Sequence, residues 1–187
     1  MSDTGTLAYL PGEISDSGVR PTWVELDGAT EPLELPAESS YLTPRVAPDG
    51  RSILISRQAE SRSVWLYDID RGVVGPVTGS DGNQYWTIWT PDGKSMVFNS
   101  QQGREPVNLW IQPVNLSSPP MRLTTTDVVH HLPMDMTPDG RTVLFVTGPS
   151  PTGKSADILA VHLGGEPTVE PVIVTDHDDC LGKLSPD

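Results

Sequence analysis

The sequence predicts an all-β fold, a β-propeller of four-stranded antiparallel blades, and three observations carry that prediction. A turn signature recurs at Val46-Ala47-Pro48-Asp49-Gly50-Arg51, Trp89-Thr90-Pro91-Asp92-Gly93-Lys94 and Met136-Thr137-Pro138-Asp139-Gly140-Arg141, and Leu184-Ser185-Pro186-Asp187 opens a fourth copy. The four prolines stand 43, 47 and 48 residues apart, a period typical of propeller blades. Short alternating apolar runs flank each turn, and no helical periodicity of useful length occurs. The 19 prolines and 17 glycines among 187 residues are spread along the chain, as many short strands joined by turns require.

The turn has a physical reason. Proline presets φ for the first corner, aspartate bonds its own backbone further on, and glycine takes the positive φ that other residues resist. Placed between two alternating runs, Pro-Asp-Gly signals a hairpin. Asp49, Asp92 and Asp139, with Gly50, Gly93 and Gly140, are therefore read as turn builders. Acid-base chemistry needs unlike carboxylates in unlike environments, and these recur identically.

In chain order, Thr6–Leu10 alternates like a half-buried strand and Pro11-Gly12 ends it. Residues 13–21 are loop-like. Thr22–Leu26 is a second strand, and Glu31–Pro36 a third whose prolines favour an edge. The next unit is complete: Tyr41–Ala47, Ser52–Ser56, Ser63–Ile69 and Gly75–Thr78. The third repeats it with Tyr85–Thr90, Ser95–Asn99, Asn108–Val114 and Met121–Thr124. The fourth runs through Leu132–Thr137, Thr142–Thr147, Ala156–His162 and Val172–Thr175, and residues 180–187 begin another first strand. The chain is thus expected to be one domain, 1–187, of about four blades: 38–79, 80–125, 126–176, and one split between the termini, 1–37 plus 180–187.

These units resemble the TolB-like propeller repeat. The resemblance rests on Trp89-Thr90-Pro91-Asp92-Gly93-Lys94, the strand at Val97-Phe98, Leu109-Trp110-Ile111 and the closing Leu123-Thr124. The opening, Gly5–Tyr9 followed by Trp23-Val24-Glu25-Leu26-Asp27-Gly28, is similar to propellers found C-terminal to some bacterial serine/threonine kinases. The family's propellers carry six or seven blades, against about four here. The resemblance implies the fold and leaves the function open.

Twelve Lys and Arg against 25 Asp and Glu give a formal charge of −13, which repels phosphate backbones, so no nucleic-acid binding is expected. A single cysteine, Cys180, excludes an internal disulfide and any multi-thiolate metal site. No apolar run reaches a membrane span's length, and no signal peptide is visible, so a cytoplasmic location is expected. Asn115-Leu116-Ser117 matches a glycosylation acceptor, idle without secretion. Gly148-Pro149-Ser150-Pro151-Thr152-Gly153-Lys154-Ser155 matches the phosphate-binding loop pattern. Prolines 149 and 151 remove two of the amides that would cradle phosphate, and a strand rather than a helix follows, so the segment reads as a hairpin loop.

No nucleophile elbow, triad spacing or kinase signature is present, and neither a catalytic set nor a cofactor is expected. The loops ahead of the first strands supply the candidate ligand-binding residues Asn83, Gln84, Tyr85, His130, His131, Asp178 and Asp179. Adjacent histidines on a strand face opposite ways, so at most one of His130 and His131 serves a shared site. The expected function is a non-enzymatic module for protein–protein interaction. The alternatives are the propeller part of a kinase- or peptidase-associated protein, or a small-ligand or metal-binding propeller using those loops. Bulky Tyr85, Trp86 and Trp89 on a first strand crowd a four-bladed channel, which leads us to expect a homodimer closing a larger ring.

Overall fold

The computed structural model describes residues 7–9, 21–36, 39–79, 82–103, 105–125, 130–148, 155–180 and 182–185. All regular structure among them is strand, in four antiparallel sheets. The first holds β1 (Leu7–Tyr9), β2 (Thr22–Val24) and β3 (Thr30–Pro32). The second runs in order β4 (Ser40–Val46), β5 (Ser52–Gln58), β6 (Arg62–Asp68), β7 (Val73–Pro76). The third comprises β8 (Gly82–Trp89), β9 (Ser95–Gln102), β10 (Asn108–Pro113) and β11 (Met121–Arg122). The fourth comprises β12 (His131–Met136), β13 (Thr142–Thr147), β14 (Ile158–His162) and β15 (Thr168–Ile173). Neighbours in sequence are neighbours in each sheet, the meander of a propeller blade.

The chain divides into two compact units, 1–85 and 86–187, with the boundary inside β8. In the first unit Leu33, Leu35, Tyr41, Ile53, Ile55 and Tyr67 form a core with Trp23 and Val46 packed against it, joining residues of the first two sheets. In the second unit Ile88, Val97, Leu109, Met136, Val143, Phe145 and Val161 join the third and fourth sheets. Full burial of such a side chain contributes about 1.5–3 kcal/mol, so the cores between successive sheets hold each unit together.

The repeated turns take the expected form. Gly50, Gly93 and Gly140 have φ of 74°, 67° and 68°, and their N–H groups donate to the carbonyls of Ala47, Thr90 and Thr137. Each aspartate accepts through Oδ1 the amide two residues on, from Arg51, Lys94 and Arg141. Two turns carry an extra bond: Thr90 and Thr137 donate their hydroxyls to Asp92 and Asp139 at 2.6 Å. These bonds, followed by the Lys94 and Arg141 amides, hold both carboxyls below the usual carboxylate range.

Several placements differ from expectation, among them β3, which ends at Pro32 rather than Pro36, and β8, which begins at Gly82 rather than Tyr85. β7 begins at Val73 rather than Gly75, and β15 spans Thr168–Ile173 rather than 172–175. Pairing of His162 with Thr168 across a short loop fixes the latter register, so turn geometry outweighed the most apolar run. Residues 182–185, expected to begin the strand that completes the first sheet, form no strand. Leu184 packs on the fourth sheet beside Leu144, Ile158 and Ala160, and its N–H donates to Asp135 Oδ2 at 3.1 Å.

Candidate functional site

The candidate ligand residues occupy equivalent places in three successive repeats, and the structure uses them to link each repeat to the one before. Asn83 Oδ1 accepts the Arg62 amide at 3.3 Å. Asp178 Oδ1 likewise accepts the Ala156 amide at 2.9 Å, and the Asp179 amide returns to Ala156 O at 2.8 Å. At the intermediate repeat, backbone does this work. Val107 and His130 form a parallel bridge, and the His131 amide donates to Val107 O at 3.1 Å.

The following residue, Gln84, His131 or Asp179, meets the closing threonine of the preceding repeat. Gln84 is buried and lies 3.1 Å from Thr78 Oγ1. Turned so that its NH₂ donates, its amide also reaches Arg62 O at 3.1 Å and Gly79 O at 3.3 Å, so the NH₂ faces acceptors. His131 Nδ1 lies 2.9 Å from Thr124 Oγ1, and Thr175 donates to Asp179 Oδ2 at 2.8 Å. Thr78 and Thr124 have a further partner in common, since each hydroxyl accepts a third-strand amide, from Val64 and Leu109. Buried polar groups must be paired, and the hydroxyl pairs two at once.

Burial pushes the His131 imidazole down to about 4, so it is neutral at pH 7. Its ring lies 4.7 Å from that of Phe145, tilted by 51°. His130 points elsewhere, as expected of neighbours on a strand. Its Nδ1 is buried with no hydrogen-bond partner among the described residues, and its ring abuts Gly148, where a Cβ would meet His130 Cβ at 2.9 Å. The Tyr85 side chain and residues 149–154 of the Gly-Lys-Ser segment lie outside the described residues. Among the described residues no three metal-ligating groups gather, so a shared metal site at these loops finds no support in the geometry.

Sequence reasoning missed one chain of unlike groups. On the fourth sheet Thr142 Oγ1 lies 3.0 Å from His162 Nδ1, and His162 Nε2 lies 2.8 Å from Glu170 Oε1. Only the strand register reveals it, because Thr142 and His162 are direct cross-strand partners. A hydroxyl–imidazole–carboxylate relay also needs oxyanion donors, and the Thr142 amide is already given to Thr137 Oγ1 at 3.0 Å. The group stiffens a sheet surface. Two cavities flank the turn at Asp92–Ser95. One, of about 310 Å³, opens toward Met136, Asp139 and Gly140; the other, of about 520 Å³, toward Pro113, Val114 and Asn115.

Meandering four-stranded sheets, with cores between successive sheets and repeated links at their first strands, define a β-propeller protein. Among propellers the likeness is to TolB, and the chain has a TolB-like propeller fold. No family model matches it. The Tol-Pal system protein TolB of Anaeromyxobacter dehalogenans (strain 2CP-C) is 28% identical over 97 residues, 49% of this chain and 22% of that protein. The chain therefore spans about a fifth of the length of the curated relative it matches. Two solved structures agree in fold. TolB from Acinetobacter baumannii has a TM-score of 0.71 at 20% identity, covering 92% of this chain and 42% of that one. A TolB from Agrobacterium tumefaciens has 0.75 at 20%, covering 90% and 61%. A prolyl endopeptidase structure matches with a TM-score of 0.65 at 14% identity, over 91% of this chain and 28% of that one.

Proposed function

We propose that the chain is a propeller module that binds a protein partner and performs no chemistry itself. The supporting observation is its sequence likeness to a Tol-Pal system protein together with the TolB-like fold. Contact is proposed at the segment after β15, where Asp176, His177 and Asp178 are exposed. The test is reconstitution: a partner co-purified with the chain is produced separately and titrated by calorimetry. Saturable binding at micromolar concentration, weakened at least tenfold by H177A or D176A, supports the reading. Failure of every co-purified protein to rebind overturns it.

A second reading, the propeller part of a peptidase- or kinase-associated protein, draws on the likeness to the prolyl endopeptidase. It predicts partner binding only to a hydrolase or kinase domain. Pairing of two chains is also proposed, and light scattering checks it: a species near twice 20.2 kDa supports pairing, and a monomer at all concentrations refutes it.

A further inference from the structure

We propose that the link at the start of β12 is an acid-operated joint, in which proton uptake by His131 loosens the fourth sheet from the third. Its construction carries the idea. Thr124, which closes the third repeat, accepts the Leu109 amide at 2.9 Å and donates to Asn108 Oδ1 at 3.2 Å. The remaining lone pair of its hydroxyl takes a proton from His131 Nδ1, which sets the tautomer of the neutral ring. Phe145 of β13 closes one side of the imidazole, and Thr147 stands opposite it in the ladder. An imidazolium there brings a charge into an apolar and neutral-polar enclosure, and solvation of that charge requires the joint to open.

Among the described residues, the groups around the joint do not offset the charge. β10 presents Asn108 and β13 presents Phe145 and Thr147, none of them titratable in this range. From β11, Arg122 reaches the same place, since its Nε donates to Thr124 O at 2.9 Å, and it pairs with Glu105 at 3.2 Å. Arg122 thus brings a positive group to the backbone of the same threonine, and its carboxylate partner Glu105 is already engaged. The further titratable groups on or beside β12 are His130, which precedes it and faces the other way, and Asp135, whose two oxygens accept the Met136 and Leu184 amides. Burial is the sole cause of the lowered proton affinity.

Because the closed joint holds its proton more weakly than the open one, the link is fully effective above about pH 6.5. It weakens as pH falls toward 4, where the effect levels off. Between pH 7 and 4.5 the opening constant rises on the order of 50-fold.

Native-state hydrogen exchange on the full chain, corrected for intrinsic rates, tests this. The amides of Leu109, His131 and Gly148 report on the joint, through their bonds to Thr124 Oγ1, Val107 O and His130 O. The Val64 amide, bonded to Thr78 Oγ1 beside Gln84, is the reference. We expect protection at the first three to fall about 50-fold between pH 7 and 4.5 beyond any change at Val64. H131Q removes that difference, and Q84H transfers it to Val64. An equal change at Val64 in the unaltered chain, or an unchanged profile in H131Q, overturns the proposal. So does an imidazole titration of the folded protein with its His131 midpoint near 6.5, a measurement that needs no variant.

Discussion

The link at β8 and the link at β12 share a closing threonine and differ in the side chain that it meets, Gln84 or His131, and in whether the Asn83 side chain or the backbone at His130 makes the neighbouring bond. In both, a closing threonine takes a third-strand amide and holds the polar side chain two residues or fewer into the next first strand. Gln84 keeps the same charge at every pH, and His131 does not. A repeat can therefore conserve the geometry of a joint while changing the conditions under which it holds. That difference is invisible in the order of the strands and decisive in the energetics, since of the two side chains only His131 exchanges a proton.

Removing the shared hydroxyl breaks the comparison hardest. T124V leaves the Leu109 amide and His131 Nδ1 without an acceptor and Asn108 Oδ1 without its donor, and we expect a loss of about 3 kcal/mol in urea unfolding at pH 7. T78V strands the Val64 amide and one bond of Gln84, for about 2 kcal/mol. A loss under about 0.5 kcal/mol at either site would mean that the hydroxyl is incidental to the link.

Acid sharpens the contrast. The folded-state value for His131 lies below its unfolded value, so its contribution is complete above about pH 6.5 and declines as pH falls toward 4. Unfolding free energy should drop by roughly 2 kcal/mol between pH 7 and 4.5 on this account, and H131Q should show little of that drop. Asp92 and Asp139 act lower on the scale. Their values are depressed first by Thr90 and Thr137, so their contribution is present above 3.8 and lost as pH falls beneath it. A stability curve with two separate acid limbs checks both statements.

Packing beside His130 gives the next effect. G148A brings a Cβ to 2.9 Å from His130 Cβ, and we expect about 1.5 kcal/mol of destabilisation with altered exchange at the Gly148 amide. The smallest effect concerns the turns. A47T supplies the hydroxyl that Thr90 and Thr137 already have, for a gain of about 0.5 kcal/mol by thermal melting, whereas T90A costs about 1 kcal/mol and raises the Asp92 titration midpoint seen by NMR.

The turns and sheets were legible because Pro-Asp-Gly and strand alternation act over a few residues. Ser52–Ser56 and Thr142–Thr147 fall within or on the observed strands for that reason. The strand after His162 was placed too late because its register is set by the pairing of His162 with Thr168, so that of the exposed run Val172-Ile173-Val174 only the first two residues belong to it. Residues 182–185 carried the start of a turn signature, but a strand needs a partner edge, and Leu184 found a sheet face instead. Gln84, His131 and Asp179 were singled out as loop residues ahead of successive first strands, and the structure places Gln84 within β8 and His131 at the start of β12. Their link to the preceding threonines was hidden, because three chemically different side chains meet the same hydroxyl and no shared letter marks the contact.

Gly148 also heads a string that matches a phosphate-binding pattern. What keeps glycine at this position is exclusion, a Cβ that would collide with an imidazole stem, and the demand would be the same if no nucleotide existed. Two proteins can therefore share a spelling for unrelated causes. A motif search that scores letters would return this chain among nucleotide binders, while a substitution scan would report a glycine intolerant of a side chain because of the imidazole beside it.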